Sequence, residues 1–226
     1  MTVRFLSLAT ALLAGLSLAA CSSEQEDEIG LDTLKGALFP KSEPVVENPD
    51  QVARAMTGAL QSLEGPLALA TFENTKNNVV LRRIATNGAY RTWAGLTAED
   101  RRSVSTRNGV ITATRGLTRD LMSSDVGQTL ALVSRLRNGT AVRVQRYLDG
   151  ENQIVAVTAT CTIARGEATR VQVGEIDRAA TEMVERCDDG ERQYENLYRV
   201  DGSGRVLLSR QWLNEHYGSV VLQQLR

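Results

Sequence analysis

The chain has 226 residues, of which 42% are hydrophobic, 23% are charged and only 4% are aromatic, and its formal net charge is −1. A protein that binds nucleic acid normally shows a basic face and a high isoelectric point, so this balance predicts that nucleic acid is not a partner. The low aromatic content argues against an extended cleft that stacks on sugar rings. The length that remains after a leader allows one large β domain or two small ones.

The N-terminus carries the pattern of a bacterial lipoprotein. Residues 5–20 are apolar and follow Arg4, and the sequence Leu18-Ala19-Ala20-Cys21 fits the lipobox, in which signal peptidase cuts before a cysteine that already carries diacylglycerol. The run is about sixteen residues long, shorter than the roughly twenty that a membrane-spanning helix needs. A secretory signal with a chance cysteine is the alternative. We expect residues 1–20 to be a signal peptide and Cys21 to be lipidated.

The residue after the lipidated cysteine indicates which membrane holds the protein. Asp at this position usually retains a lipoprotein at the inner membrane, whereas this chain has Ser22. We therefore expect a lipid anchor in the outer membrane, with the protein facing the periplasm. Each methylene of the acyl chains that is buried in the bilayer contributes about 0.8 kcal/mol to such an anchor. Loss of Arg4 with the signal changes the formal charge from −1 to −2.

A flexible tether is predicted for residues 21–48, and a single β-rich domain that faces the periplasm is predicted for 49–226. The tether is polar and acidic, and such a composition does not bury enough apolar surface to order itself. A helix then begins at Asn48, a good N-cap, with Pro49 in the first helical position. Gly65-Pro66 ends this helix.

From Pro66 onward the hydrophobic period changes to two, which is typical of strands. Asn87-Gly88 and Asn108-Gly109 are hairpin turn signals, and Arg165-Gly166 is interpreted as a further break between strands. The pattern predicts a mainly β fold, a large antiparallel meander sheet curled into a half-barrel or sandwich. Besides the N-terminal helix, a short helix is predicted near 127–137. Residues 175–187 fit both a helix and a strand.

Two of the three cysteines remain once Cys21 is assigned to the anchor. Cys161 and Cys187 are an even pair in an oxidising compartment, which predicts a disulfide. In the chain-entropy model a bridge across a loop of about 26 residues stabilises the fold by about 3 kcal/mol. Two unpaired buried thiols are the alternative.

The sequence offers few catalytic residues. His216 is the single histidine and no G-x-S-x-G elbow occurs, so Ser-His and Cys-His catalysis are not expected. One histidine and no C-x-x-C pair also predict no zinc site, and no glycine loop for phosphate is present, so we expect no metal and no cofactor. Paired carboxylates, as in glycoside hydrolysis, remain an option. The acids considered for such a pair are Glu182 and Glu185, with Glu195 and Asp201 as further positions to compare.

Five residues on or beside predicted strands are candidates for saccharide binding. Arginine holds an acidic sugar through two parallel hydrogen bonds, and tryptophan offers an apolar face and an N–H group. The alternative is that both tryptophans pack in the core and both arginines pair with acids. The candidates are Arg91, Trp93, Arg115, Gln211 and Trp212.

Two parts of the chain resemble the GfcB/YjbF family of capsule and exopolysaccharide lipoproteins. In that family a tryptophan strand precedes a strand that ends in T-x-G-L, as residues 91–94 and 108–117 do here. The tail is similar to the family's closing pattern of an aromatic-x-N-x-Y strand, a turn and an S-x-Q strand, found here over 194–201 and 204–212. The similarity covers most of residues 50–226.

The resemblance implies an outer-membrane lipoprotein beside a polysaccharide export apparatus, built on a large antiparallel sheet that forms a half-barrel. It implies no catalytic residue. We therefore predict a non-catalytic, lipid-anchored envelope protein that assists assembly or export of capsular polysaccharide or exopolysaccharide, with the membrane and either the polysaccharide or export proteins as partners. The alternatives are a polysaccharide-modifying enzyme with paired carboxylates and a structural lipoprotein whose sheet edge pairs with a partner protein.

Overall fold

The computed structural model of the chain describes residues 49–96, 101–149, 151 and 153–226. Within these ranges the chain forms two helices and twelve strands. The predicted signal peptide of residues 1–20, the predicted tether of 21–48 and the lipidation site Cys21 lie outside the described residues.

The helices and strands follow one another in two series. The first consists of α1 (Pro49–Ser62), β1 (Leu67–Phe72), β2 (Asn77–Asn87), β3 (Tyr90–Gly95), β4 (Ser103–Arg107) and β5 (Val110–Arg115). The second consists of β6 (Leu121–Asp125), α2 (Gly127–Val133), β7 (Gly139–Leu148), β8 (Ile154–Val173), β9 (Ile176–Asp188), β10 (Gln193–Val200), β11 (Val206–Asn214) and β12 (Gly218–Gln224).

All twelve strands belong to one sheet, in the order β5-β4-β3-β2-β1-β12-β11-β10-β9-β8-β7-β6, and neighbouring strands are antiparallel. The first and last strands pair in the middle of the sheet, so β5 and β6, which are consecutive in the chain, form its two edges. These edges lie together, because Thr114 Oγ1 accepts a hydrogen bond from the Leu121 N–H at 2.9 Å. The sheet is therefore nearly closed, and the predicted mainly β fold, an antiparallel meander curled on itself, is confirmed.

Strand β1 shows how the sequence pattern encodes two packing layers. Its residues are apolar almost without interruption, which is typical of a strand that is buried on both faces. Leu67 and Leu69 pack against α1, while Ala68, Ala70 and Phe72 join the main core on the inner face of the sheet. Neither helix of the described residues is long and apolar enough to cross a membrane.

The short helix predicted near 127–137 is present as α2 and packs inside the curl of the sheet. Thr129, Leu130 and Val133 are its buried residues. Leu130 and Val133 contact a second apolar cluster on the inner face that includes Met183 and Tyr198. The helix thus fills part of the space that the curled sheet encloses.

At two places the structure has a strand where the sequence is ambiguous or predicts a break. Residues 175–187 are not a helix, since β9 covers nearly all of them. The break predicted at Arg165-Gly166 is wrong, because β8 continues through it and the pairing with β9 only shifts its register between Arg165 and Ala168. A glycine inside a strand often marks a bulge, and here a Cβ on Gly166 would lie 3.3 Å from Glu182 Cβ.

The predicted disulfide joins β8 to β9. Cys161 and Cys187 are directly opposite in the register of these strands, and their sulfur atoms are bonded. Both residues are buried and contact Ala159 and Tyr194. The bridge therefore ties the two longest strands together on the inner face.

Candidate functional site

An open cavity of about 610 Å³ lies where the β2–β3 turn, the β4–β5 turn and the end of β12 come together. We call it the arginine cavity, because four of its lining side chains are arginines and no lining side chain is acidic among the described residues. Two of the arginines, Arg83 and Arg205, are exposed, whereas the other two are partly buried. Its lining includes Arg83, Arg91, Trp93, Thr106, Asn108, Arg205, Gln224 and Arg226.

A β-bulge brings Arg83 into the arginine cavity. The β2–β3 hairpin pairs Asn87 with Tyr90 and Ala85 with Thr92, and the register then shifts so that Arg83 lies opposite Trp93. Residues directly opposite on antiparallel strands share a face. The extra residue, Ile84, remains 53% exposed. Arg83 therefore lies on the same face as Trp93 and as Arg91, which is two residues before Trp93 on β3.

Three of the cavity arginines keep donor groups that no described residue uses. Within the described ranges Arg91 donates only through NH1, to the backbone oxygens of Gly88 at 2.7 Å and Tyr90 at 2.9 Å. Arg205 donates through NH2 to the Gln224 side-chain oxygen. Arg83 makes no side-chain hydrogen bond or ion pair with any residue that the structure describes. Since a guanidinium has five N–H donors, most of these remain available to a ligand.

Arg226 has a structural role at the edge of the same cavity. Its Nε and NH2 groups donate to Glu175 at 2.8 and 2.6 Å, and its NH1 and NH2 groups donate to the oxygens of Leu63 at 2.7 Å and Leu60 at 2.6 Å. The last carbonyls of a helix lack partners within the helix, so this arginine caps α1. It therefore fixes the helix against the end of the sheet and contributes little uncompensated charge.

Trp93 forms a wall of the cavity. The side chain is only 6% exposed and belongs to the main core. Its Nε1 group donates to Thr106 Oγ1 at 3.0 Å. Packing and this hydrogen bond therefore hold the indole ring in place. The ring contributes an apolar edge to the cavity and does not present a free aromatic face to a ligand.

Sequence comparison supplies the family. The family described as group 4 capsule polysaccharide lipoprotein, GfcB and YjbF, matches residues 31–225. The chain belongs to this family. Membership of a lipoprotein family indicates a location in the cell envelope. No protein in a search of curated proteins matches the chain.

A solved structure shares the fold of this family member. The hypothetical lipoprotein YmcC from Escherichia coli (K12) is similar over 90% of this chain and 98% of its own, with a TM-score of 0.65 and 16% sequence identity. At this level of identity the similarity supports the fold and no more.

Two of the predicted saccharide ligands, Arg115 and Gln211, contact the edge strands of the sheet. Arg115 NH1 donates to the backbone oxygens of Thr114 at 2.5 Å and of Leu121 at 3.2 Å, and so links the two edges. Gln211 is 2% exposed; its Oε1 accepts from the Ile111 N–H, and its Nε2 donates to the Gly109 oxygen, both at 3.0 Å. Gln211 thus satisfies backbone groups at the start of β5 and in the turn that precedes it.

The fifth predicted residue, Trp212, belongs to a separate aromatic stack. Tyr194 stacks on its ring with centroids 5.1 Å apart, and the Arg192 guanidinium lies 4.7 Å from the ring centroid. Burial raises the pKa of Tyr194 to about 12, so its hydroxyl stays protonated and donates to Gln145 Oε1 at 3.2 Å. Of the five candidates, the structure brings only Arg91 and Trp93 into one cavity.

A buried ion pair lies elsewhere on the inner face. Arg143 NH1 donates to Glu185 Oε2 at 2.7 Å, and the two side chains are 3% and 0% exposed. Thr129, Asn196 and Tyr198 each donate to Glu185 at 2.7 Å as well. Burial by itself raises the pKa of Glu185, but the charge of Arg143 and the three hydrogen bonds outweigh burial and hold it below its ordinary value of 4.5. Glu185 is therefore a fully satisfied, ionised core residue.

Each acid considered for a catalytic pair has a partner of its own. Glu182 pairs with Arg199 at 4.0 Å and Glu195 pairs with Arg186 at 3.0 Å, whereas Glu185 lies in the core. The carboxylate of Asp201 accepts from Ser203 within its own turn at 2.6 Å. An enzyme of this class needs two carboxyl groups on either side of one bond. In each of these four acids the carboxylate is already engaged with a partner inside the protein.

The one cluster of potential metal ligands found in the described ranges is already engaged. Cys161, Glu185 and Cys187 have ligand atoms within 4.8 Å of one another. A cysteine must be a thiolate to bind a metal, whereas these two are bonded to each other. Glu185 is committed to Arg143 and three further donors. The cluster therefore does not fit a metal site.

Proposed function

We propose that this protein is a lipid-anchored envelope protein that assists the assembly or export of a capsular or extracellular polysaccharide and does so without catalysis. The observation that carries the proposal is the match of the capsule polysaccharide lipoprotein family to residues 31–225. The arginine cavity supports it, because the cavity offers uncompensated positive charge on a protein whose overall formal charge is −1.

The proposal places the anchor at Cys21 in the outer membrane and the β domain in the periplasm. The lipobox that ends at Cys21 and the absence of Asp at position 22 support this location. The disulfide between Cys161 and Cys187 supports it too, because such bonds persist in oxidising compartments such as the periplasm.

The non-catalytic part of the proposal rests on how the acids are used. Glu185 accepts hydrogen bonds from four side chains and is inaccessible to solvent. Glu182, Glu195 and Asp201 have partners of their own. If the purified protein nevertheless shortened the polysaccharide of its own strain, as measured by size-exclusion chromatography, the non-catalytic assignment would be wrong.

Deletion of the gene tests the role directly. We expect the deletion strain to release or display less polysaccharide, measured as uronic acid and total sugar in the capsule and medium fractions. The full-length gene should restore the yield. An unchanged yield in the deletion strain would contradict the proposed role.

Two variants at adjacent positions test the anchor and its membrane. Cys21→Ser removes the lipidated sulfur, so the protein should leave the outer-membrane fraction and fail to restore polysaccharide yield. Ser22→Asp keeps the lipid but should hold the protein at the inner membrane. Continued outer-membrane fractionation of Cys21→Ser would overturn the lipid anchor, and full complementation by Ser22→Asp would overturn the requirement for the outer membrane.

A further inference from the structure

We propose that the arginine cavity is a binding site for a carboxylate-bearing segment of an acidic polysaccharide, held by Arg83, Arg91 and Arg205. This inference rests on the proposed function, because it specifies which kind of polymer the protein contacts and where. The cavity differs from the aromatic stack at Trp212, because the arginine of that stack, Arg192, forms an ion pair with Glu215.

Charge balance in the cavity favours an anionic ligand. Four guanidiniums line it, and only Arg226 has a carboxylate partner, Glu175, among the residues described. Like charges gathered without counter-charges repel one another, and the repulsion is relieved when an anion binds between them. Arg83, Arg91 and Arg205 therefore form a site whose missing component is negative charge.

The donor groups suit a carboxylate in particular. A guanidinium presents parallel N–H groups that match the two oxygens of a carboxylate. Arg91 keeps Nε and NH2 for this purpose because only its NH1 binds the hairpin backbone. Arg91 is also partly buried, so water competes less strongly for its donors than at an exposed site.

The remaining polar lining is engaged within the protein and serves to shape the cavity. Asn108 Nδ2 donates to Ser134 Oγ and to the Gly204 oxygen, Gln224 Nε2 donates to the Val206 oxygen, and Thr106 Oγ1 accepts from Trp93. Ligand sites are usually concave with a few polar groups that fix orientation, and here the free arginine donors are those groups. An anionic bilayer is the other source of negative charge, but its headgroups lie on a flat surface and Arg91 is recessed within the cavity.

Binding of defined oligosaccharides tests the inference. The full-length protein in detergent is titrated by calorimetry with an oligogalacturonate and with a neutral malto-oligosaccharide of the same length. We expect binding of the acidic probe only, and we expect the affinity to fall as salt is raised from 50 mM to 500 mM because exposed charge interactions are screened. Vesicles with and without anionic phospholipid form a third arm.

Arg82 and Arg83 supply a matched pair of variants. They are consecutive residues of β2, both are exposed, and they lie on opposite faces, so only Arg83 reaches the cavity. Loss of one charged hydrogen-bond donor pair weakens binding by roughly tenfold, which we expect for Arg83→Gln and for Arg91→Gln. Arg82→Gln removes the same charge and should leave the affinity within about twofold.

Each outcome decides the inference. Selective weakening by Arg83→Gln and Arg91→Gln, with circular dichroism spectra unchanged, supports it. Equal weakening by Arg82→Gln, no binding of oligogalacturonate, or binding of anionic vesicles without the glycan overturns it. If the glycan does not bind while the deletion strain still lacks polysaccharide, the site assignment fails and the proposed function stands. If the glycan binds while the deletion strain is normal, the site stands and the proposed function fails.

Discussion

The Arg143–Glu185 pair and the arginine cavity differ in how the charge of their arginines is compensated. In the Arg143–Glu185 pair, both side chains are almost inaccessible, and Glu185 accepts four hydrogen bonds. In the arginine cavity, Arg83 and Arg91 have no acidic partner among the residues described, and the cavity is open. The charges of the first region are compensated within the protein, whereas those of Arg83 and Arg91 have no counter-charge among the described residues.

This difference separates arginines that maintain the fold from arginines that are available for function. A buried charge without a partner costs several kcal/mol, so a buried arginine requires an acid and Arg143 has one. An exposed arginine tolerates the absence of a partner because water solvates it. Substitutions in the two regions should therefore affect different properties: stability in the first and ligand binding in the second.

The largest effect on stability is expected from Glu185→Ala. The substitution leaves Arg143 buried without its counter-charge, which typically costs about 3–5 kcal/mol of unfolding free energy. Urea denaturation followed by circular dichroism measures it. Glu182→Ala is the control on the same strand, since its pair with Arg199 is 4.0 Å long and partly exposed and should contribute less than about 1 kcal/mol. Equal effects of the two substitutions would contradict the distinction.

Replacement of the disulfide should have the next largest effect. The bridge closes a loop with a sequence separation of 26 residues. The double variant Cys161→Ala, Cys187→Ala should lose about 3 kcal/mol of unfolding free energy according to the chain-entropy model. The same denaturation curve measures the loss. An unchanged urea midpoint would show that the bond adds nothing to this part of the sheet.

Acid should destabilise the protein partly through Glu185. Its pKa is lower in the folded state than its ordinary value of 4.5, so the unfolded state takes up its proton first as the pH falls. The stability that ionised Glu185 contributes is present above about pH 4.5 and is lost as the pH falls through the folded-state pKa. Unfolding free energy measured from pH 7 to pH 3 should fall less steeply in Glu185→Gln. Parallel curves for the two proteins would contradict this role.

The smallest effect on stability is expected in the arginine cavity. Arg83→Gln removes an exposed side chain that has no described partner, so the unfolding free energy should change by less than about 0.5 kcal/mol. Differential scanning calorimetry of this variant beside Arg82→Gln measures it. A loss above about 2 kcal/mol would place Arg83 among the structural arginines.

Much of the fold is predictable from local signals in the sequence. Asn87-Gly88 and Asn108-Gly109 mark real hairpin turns, and period-two alternation gives most strands. The continuous β8 was not predicted, because a glycine within a strand resembles a turn until the pairing with β9 is known. Whether residues 175–187 are helix or strand depends in the same way on their pairing with β8 and β10.

The candidate site is less predictable because it depends on register and long-range contacts. A regular β2–β3 hairpin would place Ile84 opposite Trp93 and Arg83 on the other face, and the bulge reverses this arrangement. Arg205 and Arg226 line the same cavity as Arg83 and Arg91 but are far from them in the sequence. Local sequence patterns therefore do not show that these four residues lie together. Gln211 is the opposite case. The sequence predicts that its side chain binds saccharide, but the side chain is buried and hydrogen-bonds the backbone at the start of β5.

Polysaccharide yield from a deletion strain that carries cavity variants tests the central claim most directly, because it links the arginine cavity to the proposed role. The double variant Arg83→Gln, Arg91→Gln should reach the outer membrane in normal amounts and still leave the yield near that of the deletion strain. Arg82→Gln should restore the yield fully. Full restoration by the double variant, at equal protein level, would contradict the claim that the cavity acts on the polysaccharide.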